Sequence, residues 1–242
     1  MILIKKSPAP TELETLKKQA EKQGLSDKEG YDTLGNPLKN QIRKALMHEQ
    51  GHLCAYCMRR IPDERISEKD ADLSDVYIEH WQARSAERKP GANKGLDYNN
   101  MLAVCSGNEK APEAQGKRKK RYFTCDKKRG DAPLKINPLD TETLETIYYL
   151  ADGTIKSTDK DIDADINVRL NLNCDTEAVT LLKNRKAVLD EIQTDLLRQE
   201  GDILQNCIEQ LHIWESEPDP KTPYIGIAIW WLQEQISHFS EE

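Results

Sequence analysis

The chain has 242 residues, 37% of them hydrophobic and 32% charged, which is long enough to bury a core without disulfides and contains no apolar run near the length of a membrane span. Its net charge of −7 hides a division: residues 1–137 carry 27 Lys plus Arg against 20 Asp plus Glu, whereas residues 138–242 carry 8 against 22. A phosphate backbone is attracted by the balance of +7 in the first part and repelled by the −14 in the second, so the acidic part is expected to meet a protein rather than a nucleic acid. The opening Met-Ile-Leu-Ile-Lys-Lys is too short for a signal peptide, and a cytoplasmic location is expected.

In chain order, Thr11 and Glu14 have the spacing of a capping box, and the apolar Leu13, Leu16 and Ala20 predict a helix stopped by Gly24. A second helix is predicted from Pro37 or Leu38 to Gly51, with Leu38, Ile42 and Leu46 on one face. Residues 75–80 have the β-branched and aromatic content of a strand, residues 89–95 read as a surface loop, and apolar character resumes from Asn100 to Cys105. Residues 146–150 followed by Asp152-Gly153 read as a hairpin. From Asp175 a helical stripe through Leu182, Leu189, Leu196 and Ile203 predicts one helix of roughly 30 residues, interrupted near Gly201. Pro218, Pro220 and Pro223 break it, and a last helix is predicted from Ile225 to about His238, carrying Trp230 and Trp231. The expected divisions are an N-terminal helical segment at 1–35, a site-bearing domain at 36–138, and a hairpin plus helical region at 139–242.

Six cysteines in a cytoplasmic chain favour metal over disulfides, and Cys54-Ala-Tyr-Cys57 has the spacing of half a tetrahedral zinc site. Cys105 and Cys125 can supply the other half, with His52 or His48 as substitutes for one of them; Cys207 lies on an apolar helical face and is read as core. Between the two halves stands Glu79-His80. The His can take a proton from water near neutrality, and the carboxylate can bind a hard cation such as Mg²⁺ or Mn²⁺. Asp126 follows Cys125 directly, so a zinc ion holding that cysteine can bring a second carboxylate to Glu79. Lys117, Arg118, Lys119, Lys120 and Arg121 form a basic run suited to sequence-independent contacts with the DNA backbone.

Cys54-x-x-Cys57, Glu79-His80, residues 100–105 and Cys125-Asp-Lys-Lys-Arg-Gly130 together resemble the HNH endonucleases with zinc-binding cysteines. Further stretches, among them His80-Trp-Gln-Ala-Arg-Ser85 and Leu170-Asn-Leu-Asn173, resemble the HNH subunit of Septu-type and retron-associated anti-phage systems, and this resemblance reaches to about residue 190. It implies an α+β fold with a zinc-braced ββα-metal core and Mg²⁺- or Mn²⁺-dependent hydrolysis of DNA. It further implies His80 as general base, Glu79 and Asp126 as cation ligands, Asn100 as the residue tying the hairpin loop, and Arg129 near phosphate. An ATPase subunit, contacted through the acidic helical region, is the partner it implies. Ala83 stands where many members have Pro, and Cys105 and Cys125 are separated by 19 residues instead of two. A zinc-ribbon binding or adaptor module without catalysis, and an RNA or tRNA nuclease, are the alternative readings.

Overall fold

Three helices open the chain. α1 (Thr11–Lys22) buries Leu13 and Ala20, carries Glu12 and Glu14 in its first turn and Lys22 in its last, and is followed by Gly24 at φ +67°. The capping box expected at Thr11 is absent, because the helix already begins there: Pro10 holds the cap position, where it offers no side-chain acceptor. The box forms instead at the next helix, α2 (Asp27–Asp32), where the Ser26 side chain accepts from the Glu29 amide and the Glu29 carboxylate accepts from the Ser26 amide. α3 (Asn36–Glu49) has Pro in its first turn and buries Ile42, Leu46 and Met47. This computed structural model describes residues 1–62, 73, 75–85, 94–111, 119–176 and 179–241.

A two-stranded antiparallel sheet follows, β1 (Tyr77–His80) against β2 (Met101–Val104), with Glu79 opposite Leu102 and His80 opposite Met101. All of β2 is buried, so its second edge needs internal partners. Gln50, at the end of α3, supplies them: its side chain donates to the Ala103 carbonyl and accepts from the Ala103 amide, each at 2.8 Å. A short helix, α4 (Cys125–Arg129), completes this part.

The second part comprises α5 (Thr141–Leu144), the hairpin β3 (Ile147–Tyr149) and β4 (Ile155–Ser157), and α6 (Lys160–Ala164) running into a π-type turn at Asp165–Arg169. The single long helix expected next is two. α7 (Leu181–Leu197) ends before Gly201, whose φ of +105° an extended helix excludes, and α8 (Ile203–Glu215) restarts with the Asp202 carboxylate accepting from the Gln205 amide at 2.8 Å. α9 (Gly226–Glu241) packs on α7, α8 and β3. Leu13, Ile42, Leu102, Ile136, Leu189 and Leu232 belong to one apolar cluster, so the three segments expected from sequence share a core. None of the described helices is long and apolar enough to cross a membrane.

Residues 219–226 clasp the turn that carries Cys54 and Cys57. The Lys221 amide donates to the Gly51 carbonyl at 3.0 Å, the Tyr224 amide to the Met58 carbonyl at 2.9 Å, and Arg60 donates to the Lys221 carbonyl at 2.6 Å. Asp219 accepts from His52 at 2.5 Å and from His48 at 2.6 Å, which places both histidines away from the cysteines they were expected to be able to replace.

Candidate metal centre and adjoining cleft

Cys54, Cys57, Cys105 and Cys125 converge on one buried point, all four sulfurs lying within 4.8 Å of one another. The turn bearing the first two is closed by the Cys54 amide donating to the Arg59 carbonyl at 2.9 Å and the Met58 amide donating to the Cys54 carbonyl at 3.0 Å. Met58 takes a φ of +60° here, and its side chain is buried beside Gly226. Cys105 continues from β2, and Cys125, at φ +52°, is fixed by its amide donating to the Leu170 carbonyl at 2.8 Å. Sulfur separations of 3.8 Å recur for Cys54–Cys125, Cys57–Cys105 and Cys105–Cys125. Zinc–thiolate bonds of about 2.3 Å arranged tetrahedrally give a sulfur–sulfur edge of about 3.8 Å, so the four residues fit a metal such as zinc.

The cysteine cluster and the Glu79-His80 pair are joined by Tyr56. Its position between two cysteines buries the ring, and a buried phenol needs a hydrogen-bond partner; its hydroxyl donates to Glu79 Oε1 at 3.1 Å. Arg129, from α4, forms an ion pair with the same oxygen, and the His80 amide donates to Oε2 at 3.0 Å. Three of a carboxylate's roughly four acceptor sites are taken by these donors, and Asp126 lies against the same carboxyl group. Burial, followed by the charge of Asp126, outweighs Arg129 and pushes the Glu79 carboxyl up to about 8. Two carboxylates so placed favour a positive charge between them.

His80 is buried, and its Nε2 lies 3.0 Å from the Gly95 carbonyl oxygen. A carbonyl only accepts, so Nε2 carries the hydrogen and the basic lone pair of neutral His80 is on Nδ1. The loop that presents this carbonyl is tied by Asn100, whose Oδ1 accepts from the Gln82 amide at 2.8 Å while Nδ2 donates to the Gln82 and Lys94 carbonyls, each at 3.0 Å. α2 braces it from outside. Asp27 accepts from the Lys94 amide at 2.7 Å, its carbonyl lies where a Cβ on Gly95 would fall, and Tyr31 meets the His80 ring edge-on with centroids 4.9 Å apart.

Glu79, His80 and Asp126 line one cleft of about 380 Å³, together with Ala83, Arg84, Lys127 and Asp131. Sequence reading put Arg129 on phosphate. The structure buries it behind Glu79, with Nε donating to the Ala132 carbonyl at 2.7 Å and Nη2 to the Trp81 carbonyl at 2.6 Å, so its guanidinium is spent inside the protein. Of the basic run, Lys117 and Arg118 lie outside the described residues; Lys119, Lys120 and Arg121 form a short 3₁₀ turn, and the exposed Lys120 and Arg121 do not line the cleft. Tyr56, Tyr31, Gly95 and Arg84 were not singled out from sequence. A tyrosine between paired cysteines was the one available signal.

The fold is a mixture of helices and small antiparallel sheets, and its four-cysteine cluster can hold a metal. No protein-family model matches the chain. Over 70 residues, 29% of its length, it is 31% identical to an Escherichia coli protein named "Retron Ec83 putative HNH endonuclease"; the match spans 24% of that relative's length.

Proposed function

We propose that this chain is a metal-dependent HNH endonuclease that hydrolyses DNA, with Zn²⁺ in the cysteine cluster as a structural ion. The observation that carries this reading is the cleft, where a histidine with its basic nitrogen on Nδ1 stands beside two apposed carboxylates, Glu79 and Asp126. Similarity to an HNH endonuclease over 70 residues supports it.

Water entering the cleft gives its proton to His80 Nδ1 while its oxygen forms the new bond to phosphorus. The bond to the 3′ oxygen breaks, that oxygen takes a proton from solvent, and a 5′-phosphate results. Glu79 and Asp126 would hold a Mg²⁺ or Mn²⁺ ion, which would supply positive charge against the negative oxygens of the transition state. Tyr56 and Arg129 fix Glu79, the Gly95 carbonyl fixes the imidazole tautomer, and Asn100 fixes the loop between them. From the motif resemblance to Septu-type and retron-associated HNH subunits, we further propose that the chain is the effector of an ATPase-associated anti-phage system in the cytoplasm, and that its acidic C-terminal region is the surface that meets the ATPase.

Plasmid nicking in Mn²⁺ tests the chemistry: wild-type protein is expected to relax supercoiled DNA and His80→Ala to lose that activity by at least about 1000-fold, whereas undiminished nicking by pure His80→Ala would remove His80 from the reaction. Parallel digestion of RNA and tRNA separates the substrate classes.

A further inference from the structure

We infer that Arg84 is the residue that grips the phosphate at the cleft, and that Tyr31 on α2 holds it in place. The inference rests on the nuclease reading above and adds a binding group to it. Glu79, Asp126 and Asp131 place three carboxylates along the cleft, and Arg129 is spent on one of them. A divalent cation offsets two negative charges, so an arriving phosphate still needs a cation of its own. Two cations line the cleft among the described residues, the exposed Lys127 and the half-buried Arg84. Lys127 is paired with Glu109 at 2.5 Å. Arg84 has Asp32 only at 4.0 Å, the outer limit of an ion pair, and its side chain is 35% exposed.

Its guanidinium lies over the Tyr31 ring, 4.2 Å from the centroid. A guanidinium held over a ring face still offers N–H groups to two phosphate oxygens, and the contact restrains its direction before the ligand arrives. The same ring meets His80 edge-on. Tyr31 is therefore a positioning residue shared by the proton acceptor and the phosphate-gripping group, and this explains why α2 is packed against a site whose motif begins beyond it.

The test uses the full chain with Arg84→Ala, Arg84→Lys, Tyr31→Leu, Tyr31→Phe and His80→Ala. Binding of a short labelled DNA duplex is measured across a KCl series in Ca²⁺, and cleavage under single turnover in Mn²⁺. Arg84→Ala is expected to lower the slope of log K against log salt by about 0.9, the loss of one phosphate contact, and to slow cleavage about 100-fold. Arg84→Lys keeps the slope and not the rate. Tyr31→Leu behaves like Arg84→Lys, and Tyr31→Phe restores what Tyr31→Leu loses, which a loss of packing alone does not require. His80→Ala separates the two levels, since it stops cleavage without changing the slope. An unchanged slope in Arg84→Ala, or wild-type protein that binds no duplex, overturns the assignment of Arg84. Undiminished cleavage by His80→Ala overturns the parent reading alone.

Discussion

Glu79 is held from three sides, by Arg129, by the Tyr56 hydroxyl and by the His80 amide, and each contact is buried. Arg129→Ala leaves that carboxylate without its counter-charge and is expected to cost about 3–5 kcal/mol, read as a lower urea midpoint. A surface residue that touched only phosphate would leave the midpoint in place and change the salt dependence of binding instead. Gly95 sets the orientation of His80 from the other side. A methyl there meets the Asp27 carbonyl at 1.9 Å, so Gly95→Ala must displace the acceptor of Nε2–H. The expected result is a mixed tautomer in the ¹⁵N spectrum of His80 and cleavage slowed about tenfold or more, with the overall fold kept. The closeness of Glu79 and His80 to the loop that Asn100 ties was legible because the first two are adjacent in sequence and strand pairing returns the third to them. The inward turn of Arg129 was not, because Lys127, Lys128 and Arg129 are neighbours on one short helix and only the third dimension selects which of them is buried.

Among elements, α4 couples the cysteine cluster to the cleft, since Cys125 and Asp126 are consecutive. Cys54→Ser, or removal of zinc by a chelator, is expected to free that helix and loosen Asp126 from Glu79. Atomic emission should find about one zinc per wild-type chain and far less in the variant. Calorimetry should show weaker Mn²⁺ binding in the same variant, whereas unchanged Mn²⁺ affinity in a zinc-free chain would uncouple the two centres. The Cys54–Cys57 half of the cluster was readable from spacing because metal ligation constrains sequence locally, whereas Cys105 and Cys125, with 19 residues between them, meet only in the fold. The break between α7 and α8 was half readable: Gly201 marked it, but apolar periodicity continued through the gap. The box at Ser26 and Glu29 was missed because the more prominent Thr11 and Glu14 have the same spacing, and only the preceding Pro10 decides between them.

For the molecule as a whole, the clasp of residues 219–226 over the cysteine turn ties the acidic C-terminal part to the basic part. Gly226→Ala puts a methyl 2.8 Å from Met58 Sδ, and overpacking of this kind is expected to cost about 1–3 kcal/mol and lower the melting temperature by several degrees. Asp219 gives the clasp a pH dependence. Burial raises its carboxyl, but hydrogen bonds from His52 and His48 more than offset this and hold it below the ordinary range. A carboxylate with a depressed folded pKa contributes stability in full above its unfolded value of about 3.9, and the contribution is lost as pH falls through the folded value. Asp219→Asn is therefore expected to shed less stability than wild type on acidification below about pH 5, measured by urea melts at each pH. The shared core was not visible in sequence, where the change of charge near residue 138 suggested a seam.

The position of α2 also orders events during synthesis. Asp27 and Tyr31 are made before His80, Asp126 follows later, and the clasp at 219–226 is made last of these. A nascent fragment therefore carries the supports before His80 and Asp126, and then these residues without the clasp. Under the proposed nuclease reading, cleavage is expected only from a chain that has reached residue 226.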